Sequence, residues 1–556
     1  MKRKSIKDAV HGYINLEEPF WRIIDTPEFQ RLKWIEQTSY RVLYPSARHD
    51  RFIHSIGVYH LGQKAIQGFI KNCTEENTNL INQFKYSFLL ACILHDIGHA
   101  PFSHTCEDLF NYQQKMYDLN SSINKEFIDE MKDHLEPSVF KMFELDYKFI
   151  LSPEGRAPSE HEVMSSIIVC RKFEEYKSFF DEIPDMLIDL DLVVRSIIGC
   201  CYTMKRSDAS EVNRKKGIKN CLIRLLNSST VDVDKLDYIA RDTQMSGYDN
   251  IVLDTERLLD SICIVCKENV YRPSYKKSAL SVINNVVIAK NAQAKWIVNH
   301  PIVIYEAYIL RRAIGEALKK INIFVDNVSY SYDEIIKFIF SSKSLSKEGN
   351  QYTGGRFNLL SDVEILNLMK QNIDNLSVSE YFSRNERKHP IWKSNEEFLF
   401  CLNSSVEKAK EVAAYMAPLI TYLNGIEDMN RTKQIDDLLY KEIQEDDELE
   451  GKEYILQILD ELKEYKKEDN SDVEFNYVIL PAKNRFYSKI DSSNLYIKFG
   501  NEECDYTSYD IFENKNVEIS TKEYEFFYLY SKSKISAKHF LAYLNDKAHA
   551  SNEIRM

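Results

Sequence analysis

Long hydrophobic runs are missing from this chain of 556 residues. No stretch approaches the roughly 18 uninterrupted apolar residues that a membrane-spanning helix needs, so we expect no membrane partner. The opening residues, Met1 to Lys4, lead into a polar segment and not into the apolar core of a signal peptide. These absences favour a soluble, cytoplasmic protein.

Glycine and proline are also scarce, and a disulfide framework is not indicated. With only 16 glycines and 13 prolines, most of the chain is expected to lie in helices and strands. The 11 cysteines are odd in number and scattered through apolar segments, which favours reduced thiols. Cys263 and Cys266 have zinc-knuckle spacing but no second pair nearby, so core packing is the favoured interpretation.

The chain has no excess of basic residues. Its formal net charge is −13, which argues against broad nucleic-acid binding driven by bulk electrostatics and leaves room only for local basic pockets. Nucleic acid is therefore not an expected partner.

Helical periodicity is what the chain has in quantity. Apolar residues recur at helical spacing from Phe20 to about Ile323, which predicts a helical bundle. From Glu474 to about Ser531 the period shifts towards two, which predicts strands. Because the chain is too long for one ordinary core, we predict a mainly α protein: a helical core over residues 1–325 and a smaller α+β accessory region over residues 326–556, serving oligomerisation or regulation.

Potential metal ligands are concentrated at one helix end. His95 and Asp96 adjoin each other after an apolar run. Two further candidates are His54, in the string RFIHSIGV, and Asp234, in the string VDVDKLDYIARD. A lone histidine or aspartate is usually a core residue or a helix cap, but an adjacent pair at a buried helix end is costly without a partner. We therefore predict a divalent-metal site, and two imidazoles with two carboxylates suit Mn, Mg, Fe, Ni or Zn alike.

Four longer strings carry a family resemblance. They begin at Asp25, Arg51, His95 and Asp232 and read DTPEFQRLK, RFIHSIGV, HDIGHAPFSH and DVDKLDYIARD. Their content and order resemble the HD superfamily of metal-dependent phosphohydrolases, in particular the deoxynucleoside triphosphate triphosphohydrolases, which include bacterial dGTPases and a mammalian dNTPase. The resemblance extends over about residues 4 to 250 and is weaker to about 325. It implies that an HD-domain helical bundle forms the core.

The resemblance implies hydrolysis of a dNTP at its α-phosphorus, giving a deoxynucleoside and inorganic triphosphate. A dGTP preference and a role in dNTP pool control or antiviral or antiphage defence are compatible with it. The implied metal ligands are His54, His95, Asp96 and Asp234. The residues implied to contact the α-phosphate or carry protons are His99, His104 and His161, since imidazoles suit proton transfer near neutral pH. Glu107 stands one helical step after His104, where the family usually has Asp, and would orient or charge the His104 ring.

The resemblance also implies a set of contacts to the phosphates and sugar. These residues are Gln37, Arg51, Lys235, Tyr238, Asp242 and Tyr305. Arginine and lysine neutralise a triphosphate, although surface ion pairs of Lys235 or Arg241 with nearby acids are the alternative. Gln37 would contact the sugar 3′ hydroxyl, and Thr38 stands where the mammalian relative has a bulky apolar residue that helps to reject a ribose 2′ hydroxyl.

A second nucleotide site is implied at a subunit interface, together with a homo-oligomer that is a dimer, tetramer or hexamer. The matching residues are Lys4, Asp25, Gln30 and Lys33. A carboxylate can accept both N–H donors of a guanine edge, so Asp25 would recognise a GTP or dGTP activator. The alternative is that Asp25 caps a helix beginning at Thr26 and Pro27.

Two other functions remain open. An HD phosphohydrolase could act on a different nucleotide, such as an NTP, a cyclic nucleotide or an alarmone. A nucleotide-sensing or nucleic-acid-binding regulatory protein could use the same residues without turnover, although the complete ligand set favours an enzyme.

Overall fold

A computed structural model describes most of the chain in two compact units. The described residues are 3–38, 40–106, 121–183, 186–229, 231–248, 253–319, 324–325, 328–329, 360–426, 433–467, 469–482, 495–500, 502–505 and 524–555. The first unit comprises Met1–Gln293, Asn322–Leu366 and Ser488–Ile511, and the second comprises Ala294–Ile321, Asn367–Tyr487 and Phe512–Met556. The domain boundary expected at 325/326 adjoins residues outside the described part and stays a prediction.

Helices dominate the described residues, which confirms the predicted mainly α fold. The helices that begin in the first unit are α1 (Glu18–Ile24), α2 (Pro27–Gln30), α3 (Arg51–Asn72), α4 (Glu75–Leu94), α5 (Ser122–His134), α6 (Pro137–Ile150), α7 (Glu160–Asp181), α8 (Leu190–Ile198), α9 (Glu211–Leu226), α10 (Val233–Ser246), α11 (Thr255–Asp260), α12 (Leu280–Gln293) and α14 (Asp362–Lys370). Those of the second unit are α13 (Pro301–Lys319), α15 (Leu376–Phe382), α16 (Asn395–Cys401), α17 (Val406–Gly425), α18 (Asp437–Glu445), α19 (Lys452–Glu464) and α20 (Ala537–Arg555).

Side-chain caps fix where the central helices of the first unit begin. The Asp50 carboxylate accepts a hydrogen bond from Ile53 N at the start of α3, and the Asp232 carboxylate accepts one from Lys235 N at the start of α10. Replacing such a cap costs about 1 kcal/mol. The caps matter here because both helices carry predicted metal ligands in or just after their first turn.

The α3 helix packs against α4 and α10 at the centre of the first unit. The C-terminal half of α4 is buried from Ser87 to Leu94, so the residues that follow it are delivered into the interior. Gly57 allows α10 to approach α3 closely, since a Cβ there would lie 2.0 Å from Asp237 Oδ1. The helix crossing thus brings three separate stretches of sequence to one buried region.

Small sheets complete the first unit. The strands are β1 (Arg3–Asp8), β2 (Gly12–Glu17), β3 (Ile262–Lys267), β4 (Val270–Lys276), β5 (Phe324–Val325), β6 (Val328–Ser329), β10 (Tyr496–Phe499) and β11 (Glu502–Asp505). An N-terminal antiparallel hairpin pairs β1 with β2, with Ile6 opposite Ile14. A second sheet has the order β11-β10-β4-β3, with β10 parallel to β4. The β3–β4 hairpin lies within the region that sequence periodicity predicted to be mainly helical, and it was not recognised from the sequence.

The second unit contains one four-stranded sheet. Its strands are β7 (His389–Pro390), β8 (Gln434–Ile435), β9 (Tyr477–Pro481) and β12 (Phe527–Ser531), in the order β7-β12-β9-β8 with antiparallel neighbours. Every residue of β12 is buried, which places this sheet in the hydrophobic core of the unit. The strands β9, β10 and β12 confirm the predicted change of period near the C-terminus.

Among the described residues, no helix combines the length and the apolar character needed to cross a membrane.

Candidate active site

The four predicted metal ligands lie together in the first unit. His54 lies in the first turn of α3, His95 and Asp96 follow α4, and Asp234 lies in the first turn of α10. The Asp234 Oδ1 atom is 3.0 Å from His54 Nε2 and 3.6 Å from His95 Nε2. Asp96 approaches the same imidazoles at 3.5 Å and 3.4 Å.

Hydrogen bonds on the far side of each imidazole orient its other nitrogen towards this centre. His95 Nδ1 lies 2.9 Å from the carbonyl oxygen of Cys92, and His54 Nδ1 lies 2.7 Å from Asp237 Oδ2. Each Nδ1 therefore donates, which leaves a lone pair on Nε2. Both Nε2 atoms are buried and, within the described part of the chain, have no hydrogen-bond partner.

This arrangement fits a divalent metal ion. Ligand atoms bonded at about 2.1 Å to one ion lie about 3.0 to 3.4 Å from one another at octahedral or tetrahedral angles, close to the separations in the cluster. Burial lowers the pKa of His54, but Asp234 and Asp237 outweigh it and raise that pKa to about 9. A metal ion would replace the proton that Asp234 otherwise favours on Nε2. The centre therefore attracts positive charge, and two buried imidazole nitrogens without partners are accounted for if they bind an ion.

Asp96 divides its two oxygens between different partners. Arg51 donates to Oδ2 at 2.7 Å, and His99 Nε2 lies 3.3 Å from Oδ1. Burial favours the neutral acid, but Arg51 and the neighbouring imidazoles hold the pKa of Asp96 well below its usual range. Arg51 also donates to Ser103 Oγ at 2.9 Å. Its predicted contact with substrate phosphates stays a prediction.

Three further predicted histidines form a second cluster beside Asp96. The ring of His99 stacks on that of His161 with centroids 3.9 Å apart, and His104 lies edge-on to both at 5.0 Å and 5.1 Å. Burial, with help from Arg51 and His161, lowers the pKa of His99 well below its usual value, so its ring is neutral. Glu107, which was expected to orient His104, lies outside the described residues.

A buried network behind His54 was not predicted from the sequence. Asp237 Oδ2 lies 2.7 Å from His54 Nδ1, and Asp237 Oδ1 lies 2.6 Å from His11 Nε2. Arg241 donates to both oxygens of Asp237 at 2.8 Å and 2.9 Å and to Asp8 at 2.7 Å. Arg241 is fully buried, so the alternative that it forms a surface ion pair is wrong. Asp8 and His11 belong to the N-terminal hairpin, which thereby supports a metal ligand.

The α10 helix carries three of the predicted substrate residues along its length. Asp242 contacts His49 Nε2 at 2.6 Å and accepts a hydrogen bond from Gln293. Lys235 donates to the backbone oxygen of Ser228 at 2.7 Å and pairs with the capping residue of the helix. Burial raises the pKa of Tyr238 well above its usual value, so its hydroxyl keeps its proton. His49 and Gln293 were not recognised from the sequence.

Two predicted substrate residues lie elsewhere in the chain. Gln37 is buried, and its Oε1 has no hydrogen-bond partner among the described residues, which leaves it available to a ligand. Tyr305 lies on α13 in the second unit, where its hydroxyl donates to Glu380 at 2.6 Å. Substrate contact by either residue stays a prediction.

The predicted activator residues form two exposed pairs. Lys4 Nζ lies 3.0 Å and 3.2 Å from the two oxygens of Asp25, and Lys33 donates to Gln30 Oε1 at 2.7 Å. Thr26 is the residue that precedes α2, and no side-chain cap is formed there. The alternative in which Asp25 caps this helix is therefore wrong, because its carboxylate pairs with Lys4.

Comparison with known proteins supports the motif-based resemblance. No protein-family profile matches the chain. The chain is 27% identical over 255 residues to deoxynucleoside triphosphate triphosphohydrolase SAMHD1 of Mus musculus, an alignment that covers 44% of this chain and 32% of the mouse protein. It is 28% identical over 293 residues to the SAMHD1 homolog of Dictyostelium discoideum, covering 50% of this chain and 45% of that protein.

An archaeal protein is similar over a longer stretch. The chain is 24% identical over 347 residues to an uncharacterised protein of Methanocaldococcus jannaschii, covering 62% of this chain and 57% of the relative. Each of these alignments spans less than two thirds of the relative's own length. The resemblance inferred from the motifs is confirmed: over about half of its length the chain is similar to deoxynucleoside triphosphate triphosphohydrolases.

Proposed function

We propose that this protein is a metal-dependent phosphohydrolase that cleaves dNTPs at the α-phosphorus to deoxynucleoside and inorganic triphosphate. The observation that carries the proposal is the convergence of two buried, unpartnered Nε2 atoms, of His54 and His95, with the carboxylates of Asp96 and Asp234, within the described residues. The relatives named for this activity support the choice of substrate.

The chemistry divides between the metal cluster and the histidine cluster. A divalent metal held by His54, His95, Asp96 and Asp234 would polarise a phosphate oxygen and acidify water at the centre. Asp237 holds the imidazole of His54 in the tautomer that a cation requires. His99 lies within 3.3 Å of Asp96 and is neutral, so it can accept a hydrogen bond beside the reacting phosphate.

Product analysis tests the proposal. Purified protein is incubated with each dNTP and each NTP in the presence of Mn²⁺, and the products are separated by anion exchange. We expect deoxynucleoside and inorganic triphosphate in equal amounts, and we propose dGTP as the preferred substrate. Release of pyrophosphate or of single phosphate would assign the site to another nucleotide reaction, and absence of turnover would favour a regulatory nucleotide-binding role.

Ribonucleotides are the second candidate substrate, favoured by Thr38. Its hydroxyl oxygen is buried and has no hydrogen-bond partner in the described part of the chain, like the neighbouring Gln37 Oε1. A ribose 2′ hydroxyl is a group of suitable size and polarity to bond with it.

Replacing Thr38 with valine is expected to lower ribonucleotide turnover selectively. The substitution keeps the shape of the side chain and removes its hydroxyl, so kcat/KM for GTP should fall about 10-fold, corresponding to one hydrogen bond of about 1.4 kcal/mol. We expect kcat/KM for dGTP to change by less than about threefold, since dGTP has no 2′ hydroxyl. Parallel losses for both nucleotides would show that Thr38 does not contact the sugar.

We further propose that a guanine nucleotide activates the enzyme at the surface formed by Lys4, Asp25, Gln30 and Lys33. The Asp25 carboxylate is about half exposed, with a side-chain exposure of 46%, and is therefore accessible to a base. Lys4 and Lys33 supply positive charge for phosphates, and a second copy of this chain in a homo-oligomer would complete the site.

The cysteines whose side chains the structure describes are all free, in keeping with the cytoplasmic location that we propose for this reaction.

Replacing Asp25 with asparagine is expected to lower the stimulation of dNTP hydrolysis by GTP. Asparagine cannot accept two N–H donors of guanine through two equivalent oxygens, so the GTP concentration for half-maximal stimulation should rise at least about 10-fold. Asp260→Asn is the matched control, because Asp260 forms a similarly exposed pair with Lys71. Equal stimulation of both variants, or no effect of GTP on the unmodified protein, would contradict this site.

A further inference from the structure

One carboxylate from a segment late in the sequence of the first unit, that of Asp362, contacts the loops beside the candidate active site. Asp362 is the first residue of α14 and is 4% exposed. Its Oδ2 accepts a hydrogen bond from Glu36 N at 2.8 Å, and its Oδ1 accepts one from Phe102 N at 2.7 Å. The two loops come from segments more than 60 residues apart, and the same side chain ties both.

Both loops carry residues of the proposed reaction. Glu36 immediately precedes Gln37, and Phe102 lies between His99 and His104. A change in the position of either backbone N–H would therefore displace a proposed substrate contact or the histidine cluster.

The Phe102 loop has a backbone that needs such support. Phe102 and Ser103 adopt left-handed conformations with φ of 60° and 49°, which cost free energy in residues with a side chain. Ser103 Oγ donates to the backbone oxygen of Glu36 at 2.7 Å, so the two loops also contact each other directly. Asp362 lies where it can hold this strained turn against the neighbouring loop.

Arg31 complements the carboxylate by binding main-chain acceptors of the same region. Its guanidinium donates to the backbone oxygens of Leu360 at 2.7 Å, Ile97 at 2.9 Å and His99 at 2.7 Å. Arg31 thereby holds the segment that precedes α14 against the loop that contains Ile97 and His99. Asp362 binds the backbone N–H groups of Glu36 and Phe102. This pairing of donors with acceptors is what a fixed loop geometry requires.

The ordinary role of an acidic residue at a helix start is filled by another side chain. Glu364 Oε2 accepts hydrogen bonds from the backbone N of Ser361 at 2.7 Å and from its hydroxyl, so Glu364 caps α14. The hydrogen bonds of Asp362 go to the two loops instead. Helix capping therefore does not explain its burial.

We propose that Asp362 is a positioning residue that, through its ionised carboxylate, holds the Gln37 loop and the His99–His104 loop in their reactive arrangement. The role in activity rests on the proposed function, whereas the tethering of the loops does not. Protonation would disrupt the arrangement, because a carboxyl O–H is a donor and one of the two N–H groups would then lose its acceptor.

The surroundings place this protonation near neutral pH. Burial, together with the charge of Glu36, raises the pKa of Asp362 to about 7, while its two backbone hydrogen bonds and Arg31 act in the opposite direction. The other charged groups facing this region are Glu364 on the same helix and Glu28 on α2, both of which interact with Arg31. Since the folded-state pKa exceeds the ordinary value of 3.8, the proton stabilises the fold, and this contribution is lost as pH rises from about 4 to about 7. The ionised, active form is thus the less stable one.

Asp362→Asn tests the proposal, since asparagine offers one acceptor oxygen and places an NH₂ group against the second N–H. We expect kcat to fall about 10-fold to 100-fold at pH 8, and the ratio of wild-type to variant kcat to approach one below about pH 6. Glu364→Gln removes a carboxylate from the same helix turn and is the control. For this variant, we expect the ratio of wild-type to variant kcat to stay near one at every pH.

Hydrogen exchange of backbone amides supplies a readout independent of activity. We expect faster exchange in peptides covering Glu36 and Phe102 in Asp362→Asn, and faster exchange of the same amides in the unmodified protein at pH 5.5 than at pH 8 after correction for intrinsic rates. Unchanged exchange in both comparisons overturns the proposal, even if the variant is inactive. If amide exchange changes as expected in both comparisons but the unmodified protein shows no turnover, the proposed function is overturned and the tethering of the loops by Asp362 stands.

Discussion

Replacing His95 with alanine is expected to abolish metal-dependent dNTP hydrolysis. The substitution removes the Nε2 atom of His95, which is buried and has no hydrogen-bond partner among the described residues, and it takes a nitrogen ligand away from the carboxylates of Asp96 and Asp234. The loss in kcat/KM should be roughly 10³-fold or more, because a metal contributes several kcal/mol of transition-state stabilisation and each 1.36 kcal/mol is tenfold. Triphosphate release under saturating Mn²⁺ measures this effect.

His134→Ala is the matched control for that experiment. His134 is an exposed histidine near the end of α5 and contacts the backbone oxygen of Glu130, so its loss should leave both metal content and turnover unchanged. Metal bound per chain, measured after dialysis, should fall in His95→Ala alone. Full metal content with full activity in His95→Ala would refute the assignment of this centre.

The metal ligands were predictable because the features that indicate them are local. An adjacent histidine and aspartate at the end of a buried helix stand out against an apolar background, and the motif strings supply His54 and Asp234. The strands β9 and β12 were predictable for a similar reason, since each is a short run of apolar and aromatic residues. Features that depend on contacts between distant segments were not.

Asp237 illustrates the limit for the site. It lies three residues after Asp234 in the same helix and looked like one more polar residue in a motif. Its partner His11 is 226 residues away, and Arg241 meets Asp8 across 233 residues. The spacing of Asp237 and Arg241, four residues apart on a helix, was a usable signal of an ion pair, but only the packed structure shows that the pair is buried.

Asp362 had no usable signal in the sequence. An aspartate in the first turn of a helix is ordinary, since it interacts favourably with the helix dipole. Its hydrogen bonds to Glu36 N and Phe102 N span 326 and 260 residues. The β3–β4 hairpin escaped for a related reason, because its apolar residues lie in a long region of helical periodicity and the pairing of β4 with β10 is remote in sequence.

Replacing Asp237 with asparagine is expected to weaken metal binding and destabilise the fold together. The carboxylate orients His54 and is contacted by both Arg241 and His11. Loss of such a carboxylate behind a metal-binding imidazole typically costs 10-fold to 100-fold in metal affinity. Removing one charge from a buried ion pair costs about 3–5 kcal/mol of unfolding free energy. Equilibrium dialysis against Mn²⁺ and urea denaturation measure the two effects separately.

Asp191→Asn separates the two roles, because the same kind of network occurs away from the metal cluster. Arg195 is fully buried and donates to Asp191 at 2.7 Å and to Asp146 at 2.9 Å, just as Arg241 is shared by Asp237 and Asp8. We expect Asp191→Asn to lose a similar amount of stability and to bind Mn²⁺ with unchanged affinity. If Asp237→Asn behaves identically to Asp191→Asn in both measurements, Asp237 serves stability alone and the orientation of His54 does not depend on it.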